Sequence, residues 1–400
     1  MIYAVTSRLA EAALRVRARL GGSQDLRQRL LADAPPGRAD IWVHGASVGE
    51  LTSARPVIEA LARGTRVIVT ANSPTGRDMV SAWGLPARLA PLDMPGALTR
   101  FLDAVQPRLQ LTVESEFWPL RSRLLAERGV SQAVIGARMS QRSAGLWSRL
   151  PGVIGPMLGR ISALSAQDGG SETRLRELGL PERALLPALD LKLLTPARVV
   201  PPPDDAARDR TVLAASTHEG EEAAILDGWL AARRLHPGLR LILAIRHPAR
   251  ADEVAGLIAE RSLPVVRRSE TLGQDLIGAP VLLADTLGEM DQWYRQAAIC
   301  LVAGSLVDKG GHTPWEPAAH RCAILHGPYV SNFSDAYAAL EDAGAARSVD
   351  AAGLGAALSG LAGDAMQARR MGSAARALLT ARAGDPTPLI AHLRDLANSR

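Results

Sequence analysis

The sequence predicts an α/β protein made of two doubly wound halves that face each other across a cleft. Short β-rich runs alternate with helical stretches along most of the chain, the rhythm of strand–helix–strand units on a parallel sheet. A proline-rich stretch, Pro201-Pro202-Pro203-Asp204-Asp205, interrupts this rhythm once, and the rhythm then restarts. The 400 residues also exceed what one ordinary core organises, whereas two domains of similar size suit them.

In order along the chain, Ile2, Val5, Leu9, Ala12, Val16 and Leu20 recur at steps of three or four, while Arg8, Arg15 and Arg19 cluster on another face. This reads as a basic amphipathic helical segment over residues 1–33. Such a helix either lies in the headgroup layer of an anionic membrane or packs on its own domain. The first domain, residues 34–190, takes its strands from Ile41–Val43, Arg66–Thr70, Leu109–Val113, Ala133–Ile135 and Ile161–Leu164. Residues 191–207 are the expected linker and hinge. The second domain, residues 208–400, takes strands from Val212–Ala215, Leu241–Ile245, Val281–Ala284, Ile299–Val302 and Ala323–Leu325, and its last 50 residues, rich in Ala, Arg and Leu, are expected to close it as helices.

Composition narrows the function. No stretch approaches 18 uninterrupted apolar residues, so no segment reads as a membrane span. Cys300 and Cys322 both sit in apolar runs, and two cysteines are too few for a disulfide framework or a Cys-rich metal site. With no signal-peptide pattern at the start, a reducing, cytoplasmic setting is expected. The net charge of +5 comes almost wholly from arginine, since Lys192 and Lys309 are the only lysines. Aromatics are 4% of the chain and no basic run is interleaved with them, which argues against nucleic acid and leaves an anionic membrane surface or an anionic substrate as the partner.

The candidate chemistry gathers where strands are expected to end, the edge at which doubly wound sheets bind ligands. His44-Gly45-Ala46-Ser47-Val48-Gly49-Glu50 joins a strand to a helix. Its Ser47 and Glu50 have capping-box spacing, so Glu50 is either a cap or a catalytic carboxylate. Glu114-Ser115-Glu116-Phe117-Trp118-Pro119 places two carboxylates at another such edge, where they bind sugar hydroxyls or cap a helix. Arg138, Ser140, Arg142 and Ser143 follow the next strand and suit a phosphorylated acceptor or a solvated loop. In the second half Ser216-Thr217-His218-Glu219-Gly220-Glu221 again joins a strand to a helix, where free N–H groups favour phosphate. Arg246-His247-Pro248, Asp285 to Glu289, Gly304-Ser305 and Gly310-Gly311-His312 to Glu316-Pro317 end or follow further strands. His44, His218, His247, His312 and His326 are all expected at this edge. No histidine pair has metal-site spacing and no Asp-X-Asp occurs, so neither a metal nor another cofactor is expected.

This ordered set, together with Pro91-Leu92-Asp93 and Ala137-Arg138-Met139-Ser140, resembles the bacterial Kdo (3-deoxy-D-manno-octulosonic acid) transferases, which are GT-B glycosyltransferases of lipopolysaccharide assembly. The resemblance runs from about Ile41 to Pro317. It implies two Rossmann-like domains in a GT-B enzyme that moves Kdo from CMP-Kdo to a lipid A precursor at the cytoplasmic face of the inner membrane, attached peripherally or through its N-terminus. It implies that Glu50 is the general base of an inverting, metal-independent transfer. Ser47, Gly49, Glu114, Glu116, Arg138 and Ser140 would meet the acceptor. Lys192, Ser216, Thr217, His218, Arg246, His247, Glu289, Gly304, Ser305, His312 and Glu316 would hold the donor. The chain departs from the family pattern at Leu189, Asp190, Ile245, Ala303 and Thr313. The competing classes are a GT-B enzyme using another activated sugar and an inactive nucleotide- or lipid-binding paralogue; stabilisation by CMP but not by UDP or GDP discriminates the first.

Overall fold

The computed structural model describes residues 2–33, 35–271 and 279–399. It divides into two compact units, 1–195 with 383–400, and 196–382. The first holds β1 (Ile41–Gly45), β2 (Val67–Ala71), β3 (Ala87–Leu89), β4 (Leu109–Val113), β5 (Ser131–Ala137), β6 (Ala163–Ala166) and β7 (Leu185–Leu186). They form one seven-stranded sheet in the order β3-β2-β1-β4-β5-β6-β7, parallel throughout. The second holds β8 (Thr211–Thr217), β9 (Arg240–Ile245), β10 (Val265–Arg267), β11 (Val281–Ala284), β12 (Ile299–Val302), β13 (Ala323–His326) and β14 (Ala346–Ser348). Its sheet is also seven-stranded and parallel, in the order β10-β11-β9-β8-β12-β13-β14.

Burial matches the parallel arrangement. Strands β1, β2, β4, β11, β12 and β13 are buried at every residue, because helices cover both faces of a parallel sheet and leave no polar side for alternation. The chain reverses its direction of winding beside β1 and again beside β8. A crevice therefore opens past the carboxyl ends of β1 and β4 in the first sheet, and past those of β8 and β12 in the second.

Two expectations change. The helix Thr387–Asn398 buries Leu389, Ile390, Leu393 and Ala397 in the first unit's core, beside Ile58, Leu61 and Leu109, and Arg394 donates to the Ala60 carbonyl at 2.6 Å. Sequence order had placed this helix with the second domain, but its apolar stripe matches the other sheet. Lys192, expected in the linker, lies in the helix Leu191–Ala197, whose Leu191 and Leu194 also belong to the first core. For the N-terminal helix Ile2–Arg19, the pattern read from Ile2, Val5, Arg8, Leu9 and Arg19 falls on side chains outside the described residues. Its described half is docked on the first unit by Glu11, which accepts from the Gly96 N–H and from Arg100, each at 2.7 Å, while Val16 and Leu20 are exposed.

Candidate active site

At the edge of the first sheet, β1 runs into Ser47, whose hydroxyl caps the helix Val48–Ala62 by accepting from the Glu50 N–H at 3.2 Å. The Glu50 carboxylate turns back in the same motif. It accepts from the Ala46 N–H at 2.6 Å and from the Ser47 hydroxyl at 3.2 Å. A carboxylate offers about four lone-pair sites and these bonds use two, so the cap fixes the group without exhausting it. Desolvation raises its pKa above the ordinary value, with a smaller push from the charges of Glu114 and Glu116, against the lowering by the Ala46 N–H. A half-buried, oriented carboxylate of raised basicity is the group that proton abstraction needs.

Glu114 leaves β4 with a left-handed φ of 60°, a conformation that costs about 1–2 kcal/mol for a residue with a Cβ. Glu116 accepts from Trp118 Nε1 at 2.6 Å and from Asn72 Nδ2 at 3.3 Å, and Arg121 holds its backbone carbonyl. His44 Nε2 lies 3.5 Å from its carboxylate. The His44 side chain leads in holding Glu116 down to about 2, so it is anionic at neutral pH. Burial in turn drives His44 to about 4 and keeps it neutral. His44 Nδ1 lies 3.0 Å from the Thr70 hydroxyl, which also accepts from Trp42 Nε1 at 2.8 Å. Arg138 and Ser140 follow β5 at the same edge and are exposed; Ser140 caps the helix Gln141–Trp147. Gly49 is exposed in the first turn after Ser47. Lys192 is exposed, and its N–H is held by Asp190 Oδ1 at 3.0 Å.

At the edge of the second sheet, Ser216 takes a φ of 61° inside the irregular end of β8. His218 and His312 lie almost parallel, 11° between ring planes, with their Nε2 atoms 2.9 Å apart, so one of them donates to the other. His247 stands edge-on to His218, with ring centroids 5.7 Å apart. Burial lowers both His218 and His312, the latter to about 4. Gly304, with a φ of 67°, is required here: a Cβ would sit 3.2 Å from the His312 ring and 3.3 Å from that of His218. Arg246 is exposed and forms no ion pair among the described residues, and its charge, like that of Lys309, acts on His218. Arg246 and Lys309 thus give a cationic rim beside the neutral histidine pair, an arrangement suited to an anionic ligand.

The remaining expected donor residues divide. Thr217 and Ser305 are fully buried. The Thr217 hydroxyl bonds Glu222 at 3.1 Å; that of Ser305 donates to the Val302 carbonyl and accepts from the Gly327 N–H. Both hydroxyls brace the edge from beneath. Glu289, after β11, is held by Arg268 at 2.7 Å. Glu316 opens the helix Trp315–Ala319 and accepts from the Tyr294 hydroxyl at 3.2 Å. Two histidines expected at the edge turn inward instead: His44 is buried under Glu116, and His326 is buried against Glu341 at 3.0 Å. Both are the inward side chains of strand residues, a facing that the end of an apolar run does not reveal.

Sequence reasoning overlooked Asn72, Arg121 and Glu221 as parts of these sites. Glu221 is the most consequential, because it is fully buried and its carboxylate accepts four backbone N–H groups. The signal was present as the second carboxylate of Glu219-Gly220-Glu221, read there only as part of a phosphate-binding turn. Among the described residues no group of three or more His, Cys, Asp or Glu side chains is arranged to hold a metal ion.

Residues 15–195 match the family model for 3-deoxy-D-manno-octulosonic-acid transferase (kdotransferase). Over 371 residues the chain is 35% identical to the 3-deoxy-D-manno-octulosonic acid transferase of Bordetella pertussis, covering 88% of this chain and 86% of that protein. The chain belongs to the Kdo transferase family. The corresponding transferase of Haemophilus influenzae is 33% identical over 319 residues, 76% of this chain and 74% of that one. This Kdo transferase family member is therefore a glycosyltransferase. The solved UDP-GlcNAc 2-epimerase of Neisseria meningitidis bound to UDP-GlcNAc covers 88% of this chain and 99% of its own with a TM-score of 0.57 at 13% identity, a likeness of fold that agrees with the expected GT-B class.

Proposed function

We propose that this family member transfers Kdo from CMP-Kdo to a lipid A precursor of the lipid IVA type in lipopolysaccharide core biosynthesis, by inverting displacement without a metal. The observation that carries the mechanism is Glu50, a half-buried carboxylate of raised pKa fixed by its own helix cap. Glu50 takes the proton of an acceptor hydroxyl while the hydroxyl oxygen forms the new bond to the anomeric carbon of Kdo. The bond from that carbon to the phosphate oxygen breaks, and CMP leaves with the electron pair. Glu114, Glu116, Arg138, Ser140, Ser47 and Gly49 receive the phosphorylated disaccharide. The second unit holds the nucleotide through Ser216, Arg246, His247 and the His218–His312 pair, with Glu289 and Glu316 for neutral hydroxyls, and Thr217, Gly304 and Ser305 shape the turns beneath them. Lys192 is the proposed partner of the donor's carboxylate or phosphate.

The protein acts peripherally at the cytoplasmic membrane face in this reading. No described helix is long and apolar enough to cross a membrane. Exposed Val48, Trp118, Leu146 and Leu150 accompany exposed Arg138, Arg142 and Arg149 on the segments that follow β1, β4 and β5, a combination that suits an anionic lipid surface. The test is incubation with a tetraacylated lipid A precursor and freshly made CMP-Kdo, with and without chelator, the lipid being weighed by mass spectrometry. A gain of one or more Kdo masses, unchanged by chelator and absent with Glu50→Gln, is expected. No gain with the unaltered protein overturns the reading.

A further inference from the structure

Three consecutive N–H groups that begin at a left-handed glycine, those of Gly304, Ser305 and Leu306, have the form of an anion-binding nest. In a nucleotide-sugar site such a nest is the natural place for the donor's phosphate. Here it is already filled from within. Glu221 Oε2 accepts from Gly304 N at 2.8 Å and from His218 N at 3.0 Å, and Oε1 accepts from Ser305 N at 3.1 Å and Leu306 N at 2.9 Å. The side chain is fully buried. An ion taken out of water loses several kcal/mol of hydration, and only well-placed charge-assisted hydrogen bonds offset that; four are present.

We propose that Glu221 is a positioning residue for donor binding: its carboxylate occupies the nest after β12, ties that loop to the end of β8, and leaves the donor phosphate to the cationic side chains at the rim. This rests on the reading that the edge of the second sheet holds CMP-Kdo. The tie has two consequences. It sets the backbone of Gly304, whose missing side chain makes room for the stacked His218 and His312 rings, and it fixes the His218 backbone from the other side. Phosphate is then met by Arg246 and Lys309, whose charges both act on His218.

The proposal is tested on the full-length enzyme by amide hydrogen exchange, free and with saturating CMP. The amides of His218, Gly304, Ser305 and Leu306 should be strongly protected in the free enzyme, with protection changing less than about threefold on CMP binding. Rapid exchange in the free enzyme that slows only with CMP would overturn it, since the nest would then belong to the ligand. If CMP perturbs no amide in residues 216–218, 246–247 or 304–312, the donor-site reading fails, and this is read separately from the protection of the four amides. Glu221→Gln keeps the size but turns an N–H₂ toward two donors. It should raise the Kd for CMP and the KM for CMP-Kdo about 10- to 100-fold, with a smaller change in kcat, the range expected for losing charged hydrogen bonds. Glu221→Asp should be intermediate. Unchanged CMP affinity in a folded Glu221→Gln enzyme would overturn the proposal, and the exchange experiment decides it should the variant not fold.

Discussion

Glu50 is both a helix cap and the proposed base, and its two roles separate experimentally. Glutamine still offers an oxygen to the Ala46 N–H, so Glu50→Gln should leave thermal stability within about 1 kcal/mol of the unaltered protein, a typical surface-cap difference. It should lower kcat by about 10²–10⁴, the usual contribution of a general base. The raised pKa adds a pH signature. Burial favours the protonated carboxyl in the folded state, so Glu50 contributes stability while protonated, and this is lost as pH rises from the unfolded value through the folded one. Activity follows the opposite form. The acid limb of kcat/KM should therefore lie above the ordinary glutamate pKa, measured with the ionisation of substrate allowed for; a limb at or below that value would assign the base elsewhere. Glu116 cannot give this limb, because it is held down to about 2.

The elements legible from sequence were those whose residues are buried on both sides. Strands β1, β2, β4, β5 and β6 and β8, β9, β11, β12 and β13 all arise where apolar β-rich runs were read. The unread strands β3, β7, β10 and β14 are the four sheet edges. They are two or three residues long and only partly buried, so Ala87-Arg88-Leu89 or Val265-Val266-Arg267 carries no apolar run to find. The site was legible in position more than in role: strand ends were located, but whether Thr217, Ser305 or His44 faces outward depends on pairing that sequence does not contain. Glu222, which opens the helix Glu222–Leu235, shows the same gap. It is buried, bonded by Thr217, and paired with Arg250 at 2.7 Å. Arg250→Ala leaves that carboxylate without its counter-charge, which should cost about 3–5 kcal/mol in urea denaturation. Glu253→Ala, which removes only the exposed partner of Arg250, should cost far less. Equal costs would show that Glu222 is not the group that needs Arg250.

Across the whole molecule, the chain crosses from the first unit to the second once and returns at residue 383. The return makes the first unit's stability depend on the chain's last helix, far in sequence from every strand it covers. Leu389, Ile390 and Leu393 are at most 8% exposed there. Each such side chain contributes about 1.5–3 kcal/mol by burial, an upper estimate because unfolded chains already hide some apolar surface. Several kcal/mol is a large part of the ~5–15 kcal/mol that holds a typical domain folded. Leu393→Ala should thus destabilise by about 2–5 kcal/mol, and removal of residues 385–400 by more. The loss should appear in the first unit: hydrogen exchange should rise in β1, β4 and the helix Val48–Ala62, while β8, β9 and β12 stay protected. Rising exchange in the second sheet with the first unchanged would place this helix where its position in the sequence had suggested.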